Sequence, residues 1–318
     1  MANQLDLRDL RYFEVIAETG HLGRAAKKLH RTQPALTGCV RRLEAALGTA
    51  LFERVGRGIR LTSAGRALAV RARSLRVATD EAMREIGDLG AGVAGHVRVG
   101  VLPTLARFLL PEAVHLFLSE APEVTIKAQV AQNDVLGAQL ASGELDLIVT
   151  TQVPADESIV RHAVCEDDAV VIASATHPVL RVTKPRLEHL LEYRWVLAPE
   201  VVGTREWLER AFHRRGLPAP HVQIETNLIL MMPALIEKTR LLTFTSRRHV
   251  APHAPGSVLR EVPIREATMR RRFELAYRKD SYLSPAALRF VDLLRARGEE
   301  LFTGTAKPPR RDEKKAGR

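Results

Sequence analysis

The sequence predicts an α/β protein overall, with an N-terminal all-α winged helix-turn-helix, a long coiled-coil linker helix and a two-lobed α/β body. Three observations support this prediction. Residues 21–65 read as a short helix, a turn, a second helix and an arginine-rich β-ribbon. Apolar residues then repeat with heptad spacing, and strand-like and helix-like stretches alternate from residue 96 onward. The expected segments are 1–62, 63–91, 92–303 and a basic disordered tail, 304–318.

Composition and charge indicate a globular chain with a polyanionic partner. The 318 residues are 46% hydrophobic, which is enough for packed cores and suits two or three domains. The formal charge of +11 is concentrated at the ends: residues 1–91 carry +6, residues 304–318 carry +4 and the segment between them carries +1. A basic head on a near-neutral body favours phosphate contacts, whereas solubility alone would not explain the asymmetry.

Cysteine usage and the N-terminus argue against several other classes. Cys39 and Cys165 are far apart in the sequence, which disfavours a disulfide framework and a zinc site. The first twenty residues are charged and helical in pattern, unlike a signal peptide, and no apolar run reaches membrane-spanning length. We therefore expect a cytoplasmic protein with no cofactor, no metal and no membrane partner.

Start and stop signals divide the head into helices. Apolar residues at helical spacing predict a first helix over 7–19 and a second over 22–29. Thr32 offers an N-cap oxygen to a third helix, and Pro34 suits its first turn because the missing N–H is not needed there. The third helix should end at about Leu47, before a glycine.

The third helix has an apolar stripe and a small, polar, basic face. That face suits a helix that enters the DNA major groove, because it offers hydrogen bonds to base edges, close approach, and arginines for phosphates. A generic amphipathic helix with solvated arginines is the alternative interpretation. The residues of this face are Gln33, Pro34, Thr37, Gly38, Arg41 and Arg42.

Two short extended segments follow and flank Gly56-Arg57-Gly58, where the glycines permit a tight turn. Arg54, Arg57 and Arg60 of this ribbon are placed for backbone or minor-groove contact, although ordinary surface arginines would look the same. The candidate DNA-binding residues are Arg24, Thr32, Gln33, Pro34, Thr37, Gly38, Arg41, Arg54, Arg57 and Arg60.

The run from Leu10 to Gly65 closely resembles the LysR-type transcriptional regulators. The shared phrases are TQPAL at the start of the third helix, RRLE near its end, LFER before the ribbon and LTSAG at the start of the next helix. The sequence departs from many members at Gly38, where they carry arginine or lysine. The resemblance implies a homodimer or homotetramer that binds an interrupted inverted repeat of double-stranded DNA.

The helix predicted over 63–89 has apolar or small residues at alternating steps of four and three, which is a heptad seam. A helix packed on its own domain is the alternative. The matching helix of LysR-type regulators pairs two heads, so the resemblance favours a dimer seam. Gly87, Gly90, Gly92 and Gly95 are expected to end the helix and form a linker. The seam residues are Leu68, Ala72, Leu75, Thr79, Ala82, Ile86 and Leu89.

The body reads as two similar α/β lobes, and the β-α-β-α-β order of the first set predicts mainly parallel strands there. Lobe 1, at about 96–165 and 271–303, begins with the strands VRVGVL, VTIKAQVA and LDLIVT and helices over 104–119 and 135–142. Lobe 2, at about 166–270, holds the strands DAVVIAS, RWVLA, HVQIE and LLTFT. The phrases ELDLIV and THPVL are similar to the effector domain of LysR-type regulators, which resembles periplasmic solute-binding proteins.

Ligands of such sheets bind beyond the carboxyl ends of strands, near helix N-termini. Threonine, asparagine and similar residues follow several predicted strands in both lobes. Each one alone is better explained as a helix N-cap, and only their placement on two facing lobes predicts a cleft. The candidate effector-binding residues are Pro103, Thr104, Gln132, Asn133, Thr150, Thr151, Gly203, Thr204, Thr226, Asn227 and Thr245.

Together these features predict a LysR-type DNA-binding regulator rather than an enzyme. Its operator binding would be modulated by a small organic acid or related metabolite, and RNA polymerase would be a further partner. An enzyme with a DNA-binding head is one alternative, because GRGIR partly resembles a phrase of biotin ligases, but no nucleotide-binding loop accompanies it. A solute-binding module and a sequence-neutral architectural protein are the others.

Overall fold

The computed structural model describes residues 5–56, 58–91, 95–153, 155–228, 231–250 and 258–305. These residues form two compact units, a head within residues 1–92 and a body within residues 93–318. Arg57 and Gly92 lie outside the described residues, as do residues 306–318 of the predicted tail. Among the described helices, none combines the length and the apolar composition needed to cross a membrane.

The head is a three-helix unit with a two-stranded ribbon and a long fourth helix. The predicted helices over 7–19, 22–29 and 33–47 are confirmed to within a residue at each end. Phe13, Ile16 and Leu36 are fully buried at its centre. In order, the elements are α1 (Leu7–Thr19), α2 (Leu22–Lys28), α3 (Gln33–Leu47), β1 (Phe52–Val55), β2 (Gly58–Leu61) and α4 (Ser63–Ala91).

Local caps fix the ends of the two main head helices. The Asp6 carboxylate accepts a hydrogen bond from the Arg8 N–H at 2.8 Å, and Gly20 ends α1 in the left-handed region with φ 60°. Thr32 caps α3, accepting from the Ala35 N–H at 3.4 Å, and Gly48 ends it with φ 66°. The start and stop signals in the sequence therefore have the structural roles expected of them.

Helix α4 is continuous for 29 residues, so Gly87 and Gly90 lie inside it and do not end it as expected. Its seam has two parts. Leu68 and Ala72 pack against the head core, as in the alternative reading of the seam. Leu75, Thr79, Ala82 and Ile86 are exposed, and nothing is described for the side chain of Leu89. The first turns therefore pack with the rest of the head, while the later seam residues are covered by none of the residues that the structure describes.

The body contains nine strands and six α-helices within the described residues. The strands are β3 (His96–Val101), β4 (Thr125–Val130), β5 (Leu147–Thr150), β6 (Ile159–Ser174), β7 (Arg194–Leu197), β8 (His221–Glu225), β9 (Thr243–Ser246), β10 (Leu259–Glu261) and β11 (Met269–Arg278). The helices are α5 (Pro103–Phe108), α6 (Leu110–Glu120), α7 (Asn133–Ala141), α8 (Gly203–His213), α9 (Met232–Lys238) and α10 (Pro285–Thr303).

Lobe 1 is built on parallel strands and lobe 2 on a more mixed arrangement. β3 pairs in parallel with β4 and β5, and β7 pairs in parallel with β8. β6 and β11, however, are antiparallel to each other and extend through both lobes. β9 and β10 also pair antiparallel with β6. The expectation of mainly parallel strands in the first set, β3 to β5, is confirmed, whereas the two long strands that connect the lobes are antiparallel.

Two further expectations about the body need correction. The helix expected over 104–119 is two helices, because α5 ends at Phe108 and α6 begins at Leu110, next to a proline that cannot continue the hydrogen-bond ladder. The segment DAVVIAS does not begin a new strand. It is the end of the 16-residue β6, whose first half pairs with β11 in lobe 1.

Each lobe has its own hydrophobic core. One cluster surrounds β3, β5 and α10 and includes Cys165 and Phe273. A second covers one face of lobe 2, with Trp195 and Phe212, and includes Ala169. A third covers the other face of lobe 2. The clusters meet along β6 and β11. The surfaces of the two lobes that face each other therefore lie at the ends of these cores.

Candidate functional site

The polar face of α3 is accessible. Gln33, Pro34 and Arg41 are exposed, and Thr37 and Gly38 are half-buried. The Thr37 hydroxyl donates to the Gln33 carbonyl at 3.1 Å, which leaves its two lone pairs available to an outside donor. The face that the sequence assigns to DNA thus lies in solvent, with hydrogen-bonding groups toward its N-terminal end.

Arg42 is placed differently from Arg41. Its guanidinium donates two hydrogen bonds to the Asp9 carboxylate, at 2.8 and 2.7 Å, and the Asp9 side chain is only 6% exposed. Hydrogen bonds from Arg42 hold the pKa of Asp9 below its ordinary value. The expectation that Arg42 reaches phosphates is therefore corrected: it joins α3 to α1.

The ribbon formed by β1 and β2 presents arginines beside α3. Arg54 is exposed, whereas Arg60 forms an ion pair of 2.9 Å across the ribbon with Glu53. The Ile59 N–H donates to the Gly20 carbonyl at 3.0 Å, which ties the ribbon to the turn after α1. Arg24, on α2, donates to the Thr19 carbonyl at 2.6 Å and is otherwise exposed.

The residues of the shared phrases hold this ribbon in place. The Glu44 carboxylate accepts from the Leu51 N–H at 2.8 Å, and the Thr62 hydroxyl donates to the Ala50 carbonyl at 2.7 Å. Gly65 packs so closely that a Cβ there would lie 2.1 Å from the Leu51 oxygen. RRLE and LTSAG are thus structural phrases that orient the ribbon relative to α3.

A cavity of about 470 Å³ lies in the body, between the ends of the lobe 1 strands and the helices of lobe 2. Eight of the predicted effector-binding residues line it, in both lobes. Its volume is in the range of small-molecule sites, which is roughly 300–1,000 Å³. The eight residues are Pro103, Thr104, Gln132, Asn133, Thr151, Gly203, Thr204 and Thr245.

Three predicted effector-binding residues do not line the cavity. Thr150 is fully buried on β5 and donates to the Asn133 side-chain oxygen, so it supports a lining residue from behind. Thr226 uses its hydroxyl to accept from the Leu228 N–H at 3.0 Å, which is a local capping role. Asn227, beside it, is exposed.

A buried ion pair lies at the base of the cavity. The Arg271 guanidinium contacts the Asp167 carboxylate at 2.6 Å, and their side chains are 10% and 2% exposed. Arg271 also donates to the Thr104 hydroxyl at 3.3 Å, and Ser246 donates to Asp167 at 2.9 Å. Burial raises the pKa of Asp167 against the opposing effect of Arg271. This network joins residues of both lobes.

Residues 7–66 match the family model "Bacterial regulatory helix-turn-helix protein, lysR family", and residues 90–299 match the model "LysR substrate binding domain". The first match covers the head up to the start of α4, and the second covers most of the body. The chain belongs to the LysR family. It is a DNA-binding transcriptional regulator with a small-molecule effector-binding domain, in a family that binds DNA and oligomerises.

Named members of the LysR family match along most of the chain. The regulator PcaQ of Agrobacterium fabrum is 30% identical over 95% of this chain and 97% of its own. The RuBisCO operon transcriptional regulator of Allochromatium vinosum is 30% identical over 91% and 95%. The solved structure of CbnR has a TM-score of 0.64 at 21% identity, over 93% of this chain and all of that one.

Several residues that line the cavity of this LysR-type regulator were not predicted. Arg271 had a sequence signal: it shares its strand face with Phe273 and Leu275, so alternation along β11 places a charged side chain on a buried face. The apolar lining has no comparable signal, because such residues are indistinguishable from core in the sequence. It includes Leu197, Val202, Trp207, Met232, Phe244 and Met269.

Proposed function

We propose that this LysR-type regulator binds an interrupted inverted repeat as a dimer, and that a small organic acid in the body cavity alters that binding. The observation that carries the proposal is the accessible polar face of α3 beside an arginine-bearing ribbon. The second part is supported by a cavity with hydroxyl and amide groups from both lobes around a buried arginine. Because its partner is chromosomal DNA, we place the protein in the cytoplasm.

Roles within the head follow from exposure and chemistry. We assign base contacts to Gln33, Pro34 and Thr37 at the N-terminal end of α3, where a recognition helix reaches base edges. Arg41 and Arg54 are assigned to phosphates, since both are exposed. Arg60 would have to exchange its Glu53 partner for a phosphate.

Assembly is proposed through α4. Its exposed apolar residues, such as Leu75 and Ile86, would lie against the same helix of a second copy, and two heads would then match two half-sites. CbnR has been solved with its target DNA, at TM-score 0.62 and 22% identity. We propose RNA polymerase as a further partner because regulation requires the transcription machinery.

The DNA part is tested by footprinting the full-length protein on the region upstream of its own gene, with random competitor DNA at physiological salt. We expect protection of an interrupted inverted repeat.

Thr37→Ala should reduce discrimination between operator and random DNA by about 1–3 kcal/mol. Arg54→Ala should weaken both DNAs and lower the salt slope by about one. Protection without sequence preference would favour the architectural alternative, and equal loss on both DNAs for Thr37→Ala would remove its base-reading role.

The effector part is tested with a matched pair of variants. Thr204 lines the cavity, whereas Thr226 caps a turn outside it. An acid that changes operator binding should lose its effect in Thr204→Val and keep it in Thr226→Val, because only the first variant removes a hydroxyl from the site. The readout is an operator mobility shift across acid concentrations. Equal responses of the two variants would place the effector elsewhere.

A further inference from the structure

The walls of the body cavity differ in chemistry between the lobes. Lobe 1 contributes mostly hydroxyl and amide groups, from Thr104, Gln132, Asn133 and Thr151. Lobe 2 contributes the apolar side chains of Trp207, Phe244 and Met269, among others, together with two threonines and three arginines. Trp207 and Phe244 stack with ring centroids 5.7 Å apart. A ligand that contacts both walls therefore has a polar end and an apolar end.

The cavity lining holds five arginines, and each of them has a carboxylate partner. Arg271 pairs with Asp167, Arg210 with Glu206 at 3.4 Å, and Arg205 with Glu209. Arg270 and Arg272 both pair with Glu166. Arg270 and Arg272 share that one carboxylate, and Glu274 also lines the cavity, so the five arginines are balanced by five carboxylates. A ligand with two or more negative charges would therefore have at least one charge for which the cavity lining offers no arginine without a carboxylate partner.

Neutral donors remain for one negative charge. The Thr104 oxygen accepts from Arg271, so its own O–H stays available to donate. At α8 the N-cap residue is Val202, which makes no side-chain capping bond, and the following residues Gly203 and Thr204 line the cavity. Backbone N–H groups of a first helical turn favour a carboxylate. One carboxylate is thus accommodated by hydroxyl and N–H donors.

We infer that the effector is a monocarboxylic acid with an apolar, ring-sized body, its carboxylate toward Thr104 and its body against the Trp207–Met269 wall. This inference rests on the proposed function, since it names the class of ligand for the same cavity. Phosphorylated acids and short dicarboxylates are therefore expected to bind more weakly than such a monocarboxylic acid. The distinction comes from the paired arginines and from the apolar wall of lobe 2.

The test uses full-length protein without DNA and measures binding by titration calorimetry at constant ionic strength. The probes are benzoate, cyclohexanecarboxylate, benzamide, terephthalate and phosphonoacetate. We expect benzoate or cyclohexanecarboxylate to bind, and the neutral amide and the two multiply charged acids to bind at least about tenfold more weakly. Met269→Gln should weaken the monocarboxylates by about tenfold. Met231→Gln, at an exposed methionine outside the cavity lining, is the matched control.

Each outcome bears on the inference separately from the proposed function. Equal or tighter binding of terephthalate or phosphonoacetate overturns the ligand class and leaves the cavity as the effector site. Benzamide binding as tightly as benzoate overturns the role assigned to the carboxylate. If no probe binds, the class is overturned, and the operator footprint, which needs no acid, shows independently whether the DNA-binding function holds. A fluorescence change on benzoate binding that disappears in Trp207→Phe would support the assigned wall.

Discussion

Arg41 and Arg42 are adjacent on α3 but have different surroundings. Arg41 points into solvent, whereas Arg42 donates both of its bonds to the buried Asp9 carboxylate on α1. A residue's place relative to the rest of the head, rather than its type, therefore separates an exposed arginine, which we propose contacts DNA, from one that makes a packing contact. The pair offers a direct comparison between binding and stability.

Arg42→Ala should destabilise the head by about 2 kcal/mol, because it leaves the Asp9 carboxylate buried without its partner. Arg41→Ala should leave stability within about 0.5 kcal/mol and weaken binding to operator and random DNA alike. Urea denaturation and salt-dependent DNA titrations measure the two effects. A stable Arg42→Ala variant with weakened DNA binding would reverse the assignment of roles.

At the scale of elements, the start of α4 depends on one close approach. Gly65 lies against the Leu51 carbonyl, where a Cβ would come within 2.1 Å, while Gly87 in the same helix has open space around it. The Thr62 hydroxyl also accepts from the Gly65 N–H at 3.0 Å, which caps this helix end. Glycine is thus required at one position of α4 and only tolerated at the other.

Gly65→Ala should destabilise the head by about 3 kcal/mol or more, since the contact is with backbone that cannot move without displacing the ribbon. Gly87→Ala should instead stabilise α4 by up to about 1 kcal/mol, through the higher helix propensity of alanine. Thermal denaturation followed by circular dichroism checks both. Similar melting temperatures for the two variants would contradict the close approach at Gly65.

At the scale of the whole body, aromatic and cationic side chains join the lobes where β6 and β11 pass between them. His249 meets Phe108 edge to face, with centroids 4.9 Å apart. Arg248 lies over the rings of Phe108 and Phe302, at 5.5 and 5.8 Å. Burial, together with the charges of Arg107 and Arg271, lowers the pKa of His249 to about 4. Protonation of this imidazole therefore opposes folding.

The pH dependence has a definite sign. The unfolded chain takes up a proton on this imidazole near its ordinary pKa of 6.5, whereas the folded chain does so only at about 4. Stability should therefore fall as the pH is lowered from about 6.5 towards 4, by up to about 1.4 kcal/mol per pH unit from this group. Denaturation at several pH values should show a shallower slope in His249→Gln.

His213→Gln, on an exposed position of α8, is the control and should keep the parental slope. The difference between variant and parent is the quantity to compare, because burial also lowers the pKa values of His162 and His177. Parallel curves for His249→Gln and the parent would show that His249 does not couple folding to pH.

The first three helices of the head and their caps could be predicted from the sequence because these signals act over short distances. Thr32 and Gly48 define α3 through capping bonds and a left-handed φ that involve only adjacent turns. The shared phrases likewise reflect contacts such as Glu44 with Leu51, seven residues apart. The heptad seam was visible too, but its division between head core and exposed stripe depends on what packs against each turn.

In the body, local sequence signals predict only part of the structure. Threonines and amides after strands indicated most of the uncharged polar lining but none of its charged residues, because the carboxyl ends of parallel strands meet at one edge. The Arg271–Asp167 pair joins residues 104 positions apart, and β6 continues where the sequence suggested a new strand. Helices, caps and the exposed polar face of α3 thus follow from interactions within a few turns of chain. The pairing of strands, the partners of each arginine and the apolar wall of the cavity arise only when distant segments are packed together.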